Sequence, residues 1–262
     1  MSLRLSTNHG LPLPFHAAHA ATARPLIGQW VCSGSATCAE LIAGSGVDWV
    51  LVDGEHSPIG LETIQGILRT VAAYPVSPIV RVPRLDAAVI KQYLDLGAQN
   101  IMVPMVDSVE QAQAAVAAMH YPPRGVRGVG SALARSARWN RVPDYLTGAA
   151  ETVSLVVQAE SAAAVEAAAD IAAVEGVDAV FIGPSDLAAS MGLIGQQSHP
   201  KVVAGVHRVI DAAKGAGKLV GVNAFDPAAA RDYLKRGADF VAVGADVQLL
   251  ARASEQLAAQ FS

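Results

Sequence analysis

Eight short apolar runs, each followed by a helical pattern, predict a (β/α)8 barrel for this chain. The runs are rich in Val and Ile and nearly free of charge, the mark of parallel strands buried on both faces. Their alternation with helices fills 262 residues, a length suited to one large α/β domain. Gly-containing tripeptides at Gly46, Gly97 and Gly237 read as helix C-caps that lead straight into the next run. Counting alone leaves an open doubly wound sheet as the alternative.

In chain order the expected strands are Leu26–Cys32, Asp48–Asp53, Ser77–Pro83, Asn100–Met105, Ser154–Glu160, Asp178–Pro184, Leu219–Ala224 and Asp239–Gly244. The first 24 residues mix Pro, His, Gly and Ala and read as a loose lead-in, with one barrel domain over 25–262. His9, His16 and His19 read as solvated there. Ser161 is placed to N-cap a helix running to Ile171. The one long connection, Tyr121–Ala150, is too rich in Gly and Arg for a core element, and a loop of that length usually has a task.

Composition narrows the function classes. Net charge is −4 without a long basic run, which argues against nucleic acid and anionic membranes. No apolar run approaches the roughly 20 residues of a membrane span. Cys32 and Cys38 do not form a C-x-x-C pair, so a reduced, cytoplasmic protein is expected. The G-V-R-G-V-G stretch at Gly125–Gly130 lacks the Lys-Ser/Thr and the strand–turn–helix context of a nucleotide motif.

In such barrels active sites lie at the C-terminal strand ends. Those ends carry Asp53, Glu55 and His56 on the second run, Arg81 on the third, Gln158 and Glu160 on the fifth, and Ser185 and Asp186 on the sixth. Asn223 and Asp246 follow on the seventh and eighth. Glu160 and Asp186 sit one strand–helix–strand repeat apart, at the same edge of neighbouring strands. Two acids converging there need a counter-charge, and a divalent metal is the simplest one. Helix capping is the bland alternative for either acid. His56 is a candidate general base, or simply a solvated loop histidine. Arg81, inside an apolar strand, needs an anion: Asp53, Glu55 or a substrate. None of the five lysines falls at a strand's C-terminal end, so the sequence offers no Schiff-base nucleophile. Carbanion chemistry here would use a metal as its electron sink.

Several long motifs, in order from about Pro25 to the C-terminus, resemble the HpcH/HpaI family in its metal-dependent pyruvate-aldolase branch, typified by 4-hydroxy-2-oxoheptanedioate aldolase. They are V-D-G-E-H-S-P, I-K-Q-Y-L-D-L-G-A-Q-N-I-M-V-P-M-V, R-G-V-G-S-A-L-A-R-S-A-R-W-N-R, V-V-Q-A-E, F-I-G-P-S-D-L and F-V-A-V-G-A-D. The resemblance implies a TIM barrel of the phosphoenolpyruvate/pyruvate type and reversible cleavage of 4-hydroxy-2-oxo acids to an aldehyde plus pyruvate or hydroxypyruvate. It also implies a role in aromatic compound catabolism.

By the same resemblance Glu160 and Asp186 hold Mg2+, Mn2+ or Co2+, with no nucleotide cofactor. Ser185 and Asp186 bind the substrate carboxylate through their amides, and Gln158, Trp30 and Asn223 line the pocket. Arg81 stabilises the enolate, Asp53 orients, and His56 moves the proton of the aldol hydroxyl. Asp95 matches an aspartate that serves His56 from an adjacent subunit of a homohexamer, a trimer of dimers with exchanged C-terminal helices. Asn223 and Phe225 depart from the aliphatic residue expected near the aldehyde. Two other readings are an acyl-CoA lyase, with Arg124, Arg127, Arg135, Arg138 and Arg141 meeting the CoA phosphates, and a barrel that binds without chemistry.

Overall fold

All eight runs form strands, and each pairs in parallel with the next until the eighth closes on the first. In the computed structural model, which describes residues 7, 9–22 and 24–261, the barrel consists of β1 (Leu26–Val31), β2 (Trp49–Asp53), β3 (Ser77–Arg81), β4 (Asn100–Val103), β5 (Ser154–Ala159), β6 (Ala179–Ile182), β7 (Leu219–Asn223) and β8 (Phe240–Ala245). Strand ends lie within two residues of those expected. Outer helices are α2 (Ala36–Ala43), α3 (Leu61–Val71), α4 (Ala87–Asp95), α5 (Val109–Met119), α7 (Ala162–Glu166), α8 (Ala168–Ala173), α9 (Pro184–Ser190), α10 (Pro200–Gly215), α11 (Pro227–Arg236) and α12 (Asp246–Ala258). Two short helices, α1 (Phe15–Ala20) and α6 (Tyr145–Gly148), lie outside this ring.

Alternation along the strands builds two cores. Inward residues such as Trp49, Leu51, Ile79, Met102, Phe181 and Phe240 fill the barrel, while Val50, Val52, Val80, Ile101, Val157 and Val220 face the helices. Inside, Trp49 and Phe240 meet edge-on with centroids 5.4 Å apart, and Phe181 stacks on Phe240 at 5.8 Å. Gly28 and Gly221 are where these rings pass, for a Cβ on either would lie inside Trp49 or Phe240.

The lead-in is better organised than the sequence suggests. The α1 helix closes the N-terminal floor of the barrel, with Phe15 wholly buried and its ring 4.9 Å from that of Phe240. The Phe15 amide donates to Asn100 Oδ1 at 2.7 Å. His16 shares a hydrogen bond with Ser154 Oγ at 3.0 Å, His9 pairs with the Pro143 carbonyl at 3.3 Å, and burial pushes the His19 imidazole below its usual pKa. The expectation that these histidines are merely solvated is therefore corrected.

Two further expectations change. Ser161 does cap a helix, accepting from the Ala164 amide, but the helix expected to reach Ile171 breaks at Ala167 into α7 and α8. Nothing in the Ala-rich sequence forbids continuity, and packing of α8 on α10 overrides propensity. The Tyr121–Ala150 connection has a small core of its own, Leu11, Ala137, Val142, Tyr145 and Ala149. It also buries Arg127 completely, stacked 4.5 Å over Tyr121. The C-cap glycines behave as expected, Gly237 taking φ 112° where an L side chain is strained. No helix among the described residues is long and apolar enough to cross a membrane.

Candidate active site

The C-terminal ends of β2 and β3 lock an arginine between two acids. Asp53 and Arg81 are register partners, so their side chains emerge side by side. Arg81 Nε and Nη2 each donate to one Asp53 oxygen at 2.9 Å, and Nη1 lies 2.9 Å from Glu55 Oε2. The guanidinium is 5% exposed and lies 4.5 Å from the Trp30 ring centroid. Burial opposes a charged Asp53, but the Arg81 bonds and the Glu55 and His56 amides outweigh it and hold the carboxyl below its usual range. Nη1 also donates to Gln158 Oε1 at 3.5 Å, so of the five guanidinium N–H groups one on Nη2 remains for a ligand. His56 follows on the same loop, largely exposed, with Nε2 3.9 Å from Glu55.

The ends of β5 and β6 hold the second acid group. Glu160 is buried, yet among the described residues no arginine lies within ion-pair distance of it. Its Oε1 accepts from the Met105 amide at 2.9 Å and its Oε2 from Gln158 Nε2 at 2.5 Å. Burial, reinforced by the charges of Asp186 and Glu55, pushes its pKa to about 7. Burial also raises Glu55, with Asp53 and Asp186 adding to the effect. Met105 donates from a left-handed conformation, φ 52°, a strained geometry for a non-glycine residue. Gly183 is required by closeness: a Cβ there would lie 2.7 Å from Glu160 Oε2. Asp186 stands exposed in the first turn of α9. The first bond of that helix runs from the Leu187 amide to the Gly183 carbonyl, so the Ser185 and Asp186 amides have no intrahelical acceptor.

The opposite wall comes from β1, β7 and β8. Trp30 Nε1 donates to Asn223 Oδ1 at 2.9 Å, linking the first and seventh strands across the mouth. Asp246 accepts from the Cys32 and Ser33 amides at 2.8 and 3.0 Å, tying the β1 loop to the start of α12. Between the walls lies a cavity of about 290 Å3 lined by Trp30, Asp53, His56, Arg81, Gln158, Ser185, Asp186 and Asn223 among others. Cys32 lines it too, and burial keeps its thiol protonated, with a pKa near 11.

Of the residues singled out at the strand ends, Asp53, His56, Arg81, Gln158, Ser185, Asp186 and Asn223 line this cavity, Glu160 lies buried beside it on Gln158, and Asp95 does not reach it. It ends α4, which runs antiparallel to the strands, and Arg127 holds it at 3.2 Å. The Arg-rich connection likewise joins α5 to β5 at the floor, where Arg135 donates to the Leu96 carbonyl. It therefore cannot serve its own chain's mouth as a CoA-phosphate site. Lys218 bonds the Val177 carbonyl, also at the floor, and no lysine is among the residues lining the mouth. Sequence reasoning missed Met105 and Gly183, which act through backbone amide and missing side chain, and Cys32, assigned only a redox state.

The donor set suits a hard divalent cation. Glu55, Glu160 and Asp186 repel one another across the mouth, while Arg81 is already engaged by Asp53 and Glu55. Among the described residues no three His, Cys, Asp or Glu side chains converge as a ready-made cage. The oxygen donors for such a cation would be Glu160 and Asp186, whose carboxylates keep lone pairs to spare, and two protein ligands would leave positions for substrate and water.

Comparison with known proteins gives a consistent answer. The family model of HpcH/HpaI aldolase/citrate lyase matches residues 26–253. The hydroxypyruvate/pyruvate aldolase of Deinococcus radiodurans is 53% identical over 251 residues, spanning 95% of this chain and 91% of the relative. The 4-hydroxy-2-oxo-heptane-1,7-dioate aldolase of Salmonella dublin is 49% identical over 238 residues, 91% of this chain and 90% of the relative. Among solved structures, an HpcH/HpaI aldolase/citrate lyase family protein from Burkholderia cenocepacia superposes with a TM-score of 0.90 at 39% identity, covering 94% of this chain and 98% of that one.

Proposed function

This chain belongs to the HpcH/HpaI aldolase/citrate lyase family, and on that premise we propose how its mouth performs the aldolase reaction. The chain is a carbon–carbon lyase that cleaves 4-hydroxy-2-oxo acids to an aldehyde and pyruvate or hydroxypyruvate. The observation that carries our residue assignment is the buried Glu160 beside Asp186 with no cationic side chain in ion-pair contact. Glu160 and Asp186 would hold a divalent cation (Mg2+, Mn2+ or Co2+), which would supply Lewis-acid polarisation of the 2-oxo group. The Ser185 and Asp186 amides and Gln158 orient the substrate carboxylate. The free edge of Arg81 faces the keto oxygen, where charge grows as the C3–C4 bond breaks. Asp53 and Glu55 fix that guanidinium, and Trp30 shields it from water. His56 takes the proton of the 4-hydroxyl as the aldehyde departs, and C3 is then protonated to give the free oxo acid.

The assembly belongs to the same reading. Asp95 serves His56 of a neighbouring copy, since the topology keeps it from its own. In α12 only Asp246 is buried, while Val247, Leu249, Leu250 and Leu257 are exposed. Such a face supports exchange of this helix within a homohexamer, so that the barrel unit of 25–262 with its lead-in is completed by a partner. Two free cysteines support a cytoplasmic setting.

The test is exchange of the pyruvate methyl protons into D2O without aldehyde. We expect exchange that disappears on exhaustive chelation and returns with Mg2+, Mn2+ or Co2+. Undiminished exchange and turnover in chelated enzyme would refute the assignment. The acyl-CoA alternative is less supported, because the arginines it needs lie at the floor.

A further inference from the structure

The strand β8 leaves the barrel directly after its last register partner on β1. Trp30 pairs with Ala245, and the next residue, Asp246, already opens α12. Beyond that pair, the first two amides after β1 are received by a side chain. Asp246 Oδ1 accepts from the Cys32 amide at 2.8 Å, and Oδ2 accepts from the Ser33 amide at 3.0 Å and the Ser33 hydroxyl at 2.5 Å. The carboxylate is buried. Capping α12 would need only the Val247 amide, 2.9 Å from Oδ1. Three of the four donors belong instead to the end of β1.

That end of β1 reaches Arg81 by two routes. Trp30 lies against the guanidinium, 4.5 Å from ring centroid to Arg81 Cζ, and Asn223 holds the ring at Nε1. Along the other route, Cys32 Sγ meets the Ser57 hydroxyl, which donates to Asp53 Oδ2 at 3.3 Å. Ser57 has one proton and spends it on Asp53, so the protonated thiol is the donor to Ser57 Oγ. The bonds thus run in one direction from Cys32 through Ser57 to Asp53, which holds Arg81 Nε and Nη2. The fork on Asp53 restrains the guanidinium within its own plane. Tilt about that fork is checked by the Trp30 ring stacked on the flat face.

We propose that Asp246 is a positioning residue for Arg81. It fixes the end of β1, and through it both the Trp30 ring on the guanidinium and the Cys32–Ser57 link to Asp53. A catalytic group displaced by about 1 Å loses on the order of 10²-fold in rate, so a support outside the reacting atoms is felt in turnover. The inference rests on the aldolase reading, in which Arg81 meets the keto oxygen, and adds the residue that keeps Arg81 in place.

The experiment is a double-mutant cycle read as Mn2+-dependent exchange of the pyruvate methyl protons. Asp246→Asn keeps the shape and one acceptor oxygen, and should lower kcat by about tenfold with KM for pyruvate within about threefold of wild type. Ser33→Ala removes a single hydrogen bond and leaves both backbone amides in place. It should lower kcat by about threefold, and it carries the cycle alone should Asp246→Asn fail to fold. In an Arg81→Lys background the fork on Asp53 is already lost, so either change should cost less than about twofold more. A residue that serves only the fold would lower the melting temperature and cost the same factor in both backgrounds. That additivity overturns the proposal, as does a kcat within about twofold of wild type for both variants. Absence of Mn2+-dependent exchange in the wild type would instead overturn the aldolase reading.

Discussion

Glu160 should couple the stability of this fold to pH and, on the proposed assignment, to a divalent cation. Burial, aided by Asp186 and Glu55, raises its pKa from 4.5 to about 7 despite the Met105 amide bond and the attraction of Arg81. A carboxyl whose folded pKa exceeds its unfolded one supports the fold fully below the unfolded value and loses that support as pH rises through the folded value. Cation-free enzyme should therefore weaken between about pH 4.5 and 7. About two and a half pK units at 1.36 kcal/mol each gives roughly 3 kcal/mol. Glu160→Gln removes the charge at nearly constant shape and keeps an oxygen for Met105, but turns an amide toward Gln158 Nε2, at a cost of about 1 kcal/mol. In chelator at about pH 8 the variant should thus be more stable than wild type by roughly 2 kcal/mol, an order that reverses near pH 4, where only the cost of about 1 kcal/mol remains. Mn2+ should reverse the order by stabilising wild type alone. Urea unfolding across this pH range, with chelator and with Mn2+, measures both effects. Parallel pH profiles for the two proteins, or equal Mn2+ stabilisation of the variant, would refute the placement of a buried, cation-seeking carboxylate at this site.

Two other predictions test the frame around it. Arg81→Lys can satisfy one carboxylate but not the fork that holds both Asp53 oxygens, so turnover should fall by ~10²–10³; steady-state kinetics within threefold of wild type would remove Arg81 from the charge-stabilising role. Phe15→Ala empties the floor plug and should destabilise by about 3–5 kcal/mol, read by chemical denaturation, with the mouth's kcat changed far less than its stability.

The barrel was legible because fully buried parallel strands have to be apolar throughout, and runs such as L-V-V-Q-A admit few other structures. The polar residues that end them were legible for the same reason: Arg81 and Glu160 interrupt sequence that otherwise avoids charge. Less legible were groups that act without a distinctive side chain. Met105 contributes an amide through a left-handed turn, and Gly183 contributes the space where a methyl would displace the Glu160–Gln158 pair. The floor helix was missed because its signal is one residue, Phe15, among Pro, His and Ala; its partners Trp49 and Phe240 lie far off in sequence. The Tyr121–Ala150 connection misled by composition. Arginine normally marks surface, yet Arg127 is buried by stacking on Tyr121 and bonding Asp95.

Asp95 shows what the alternation of strand and helix enforces. Strand residues can reach their own mouth only near a C-terminal end, and helix residues only near an N-terminal end, because each helix runs back toward the floor. Asp95 closes α4 and is therefore as far from His56 of its own chain as that unit allows. An aspartate so placed can serve a catalytic histidine only where a second barrel presents its mouth to this one's floor. The same packing would cover the exposed apolar face of α12. On the proposed assembly, Asp95→Asn should lower turnover through the histidine of a neighbouring copy, and an unchanged kcat and pH profile would remove Asp95 from that role.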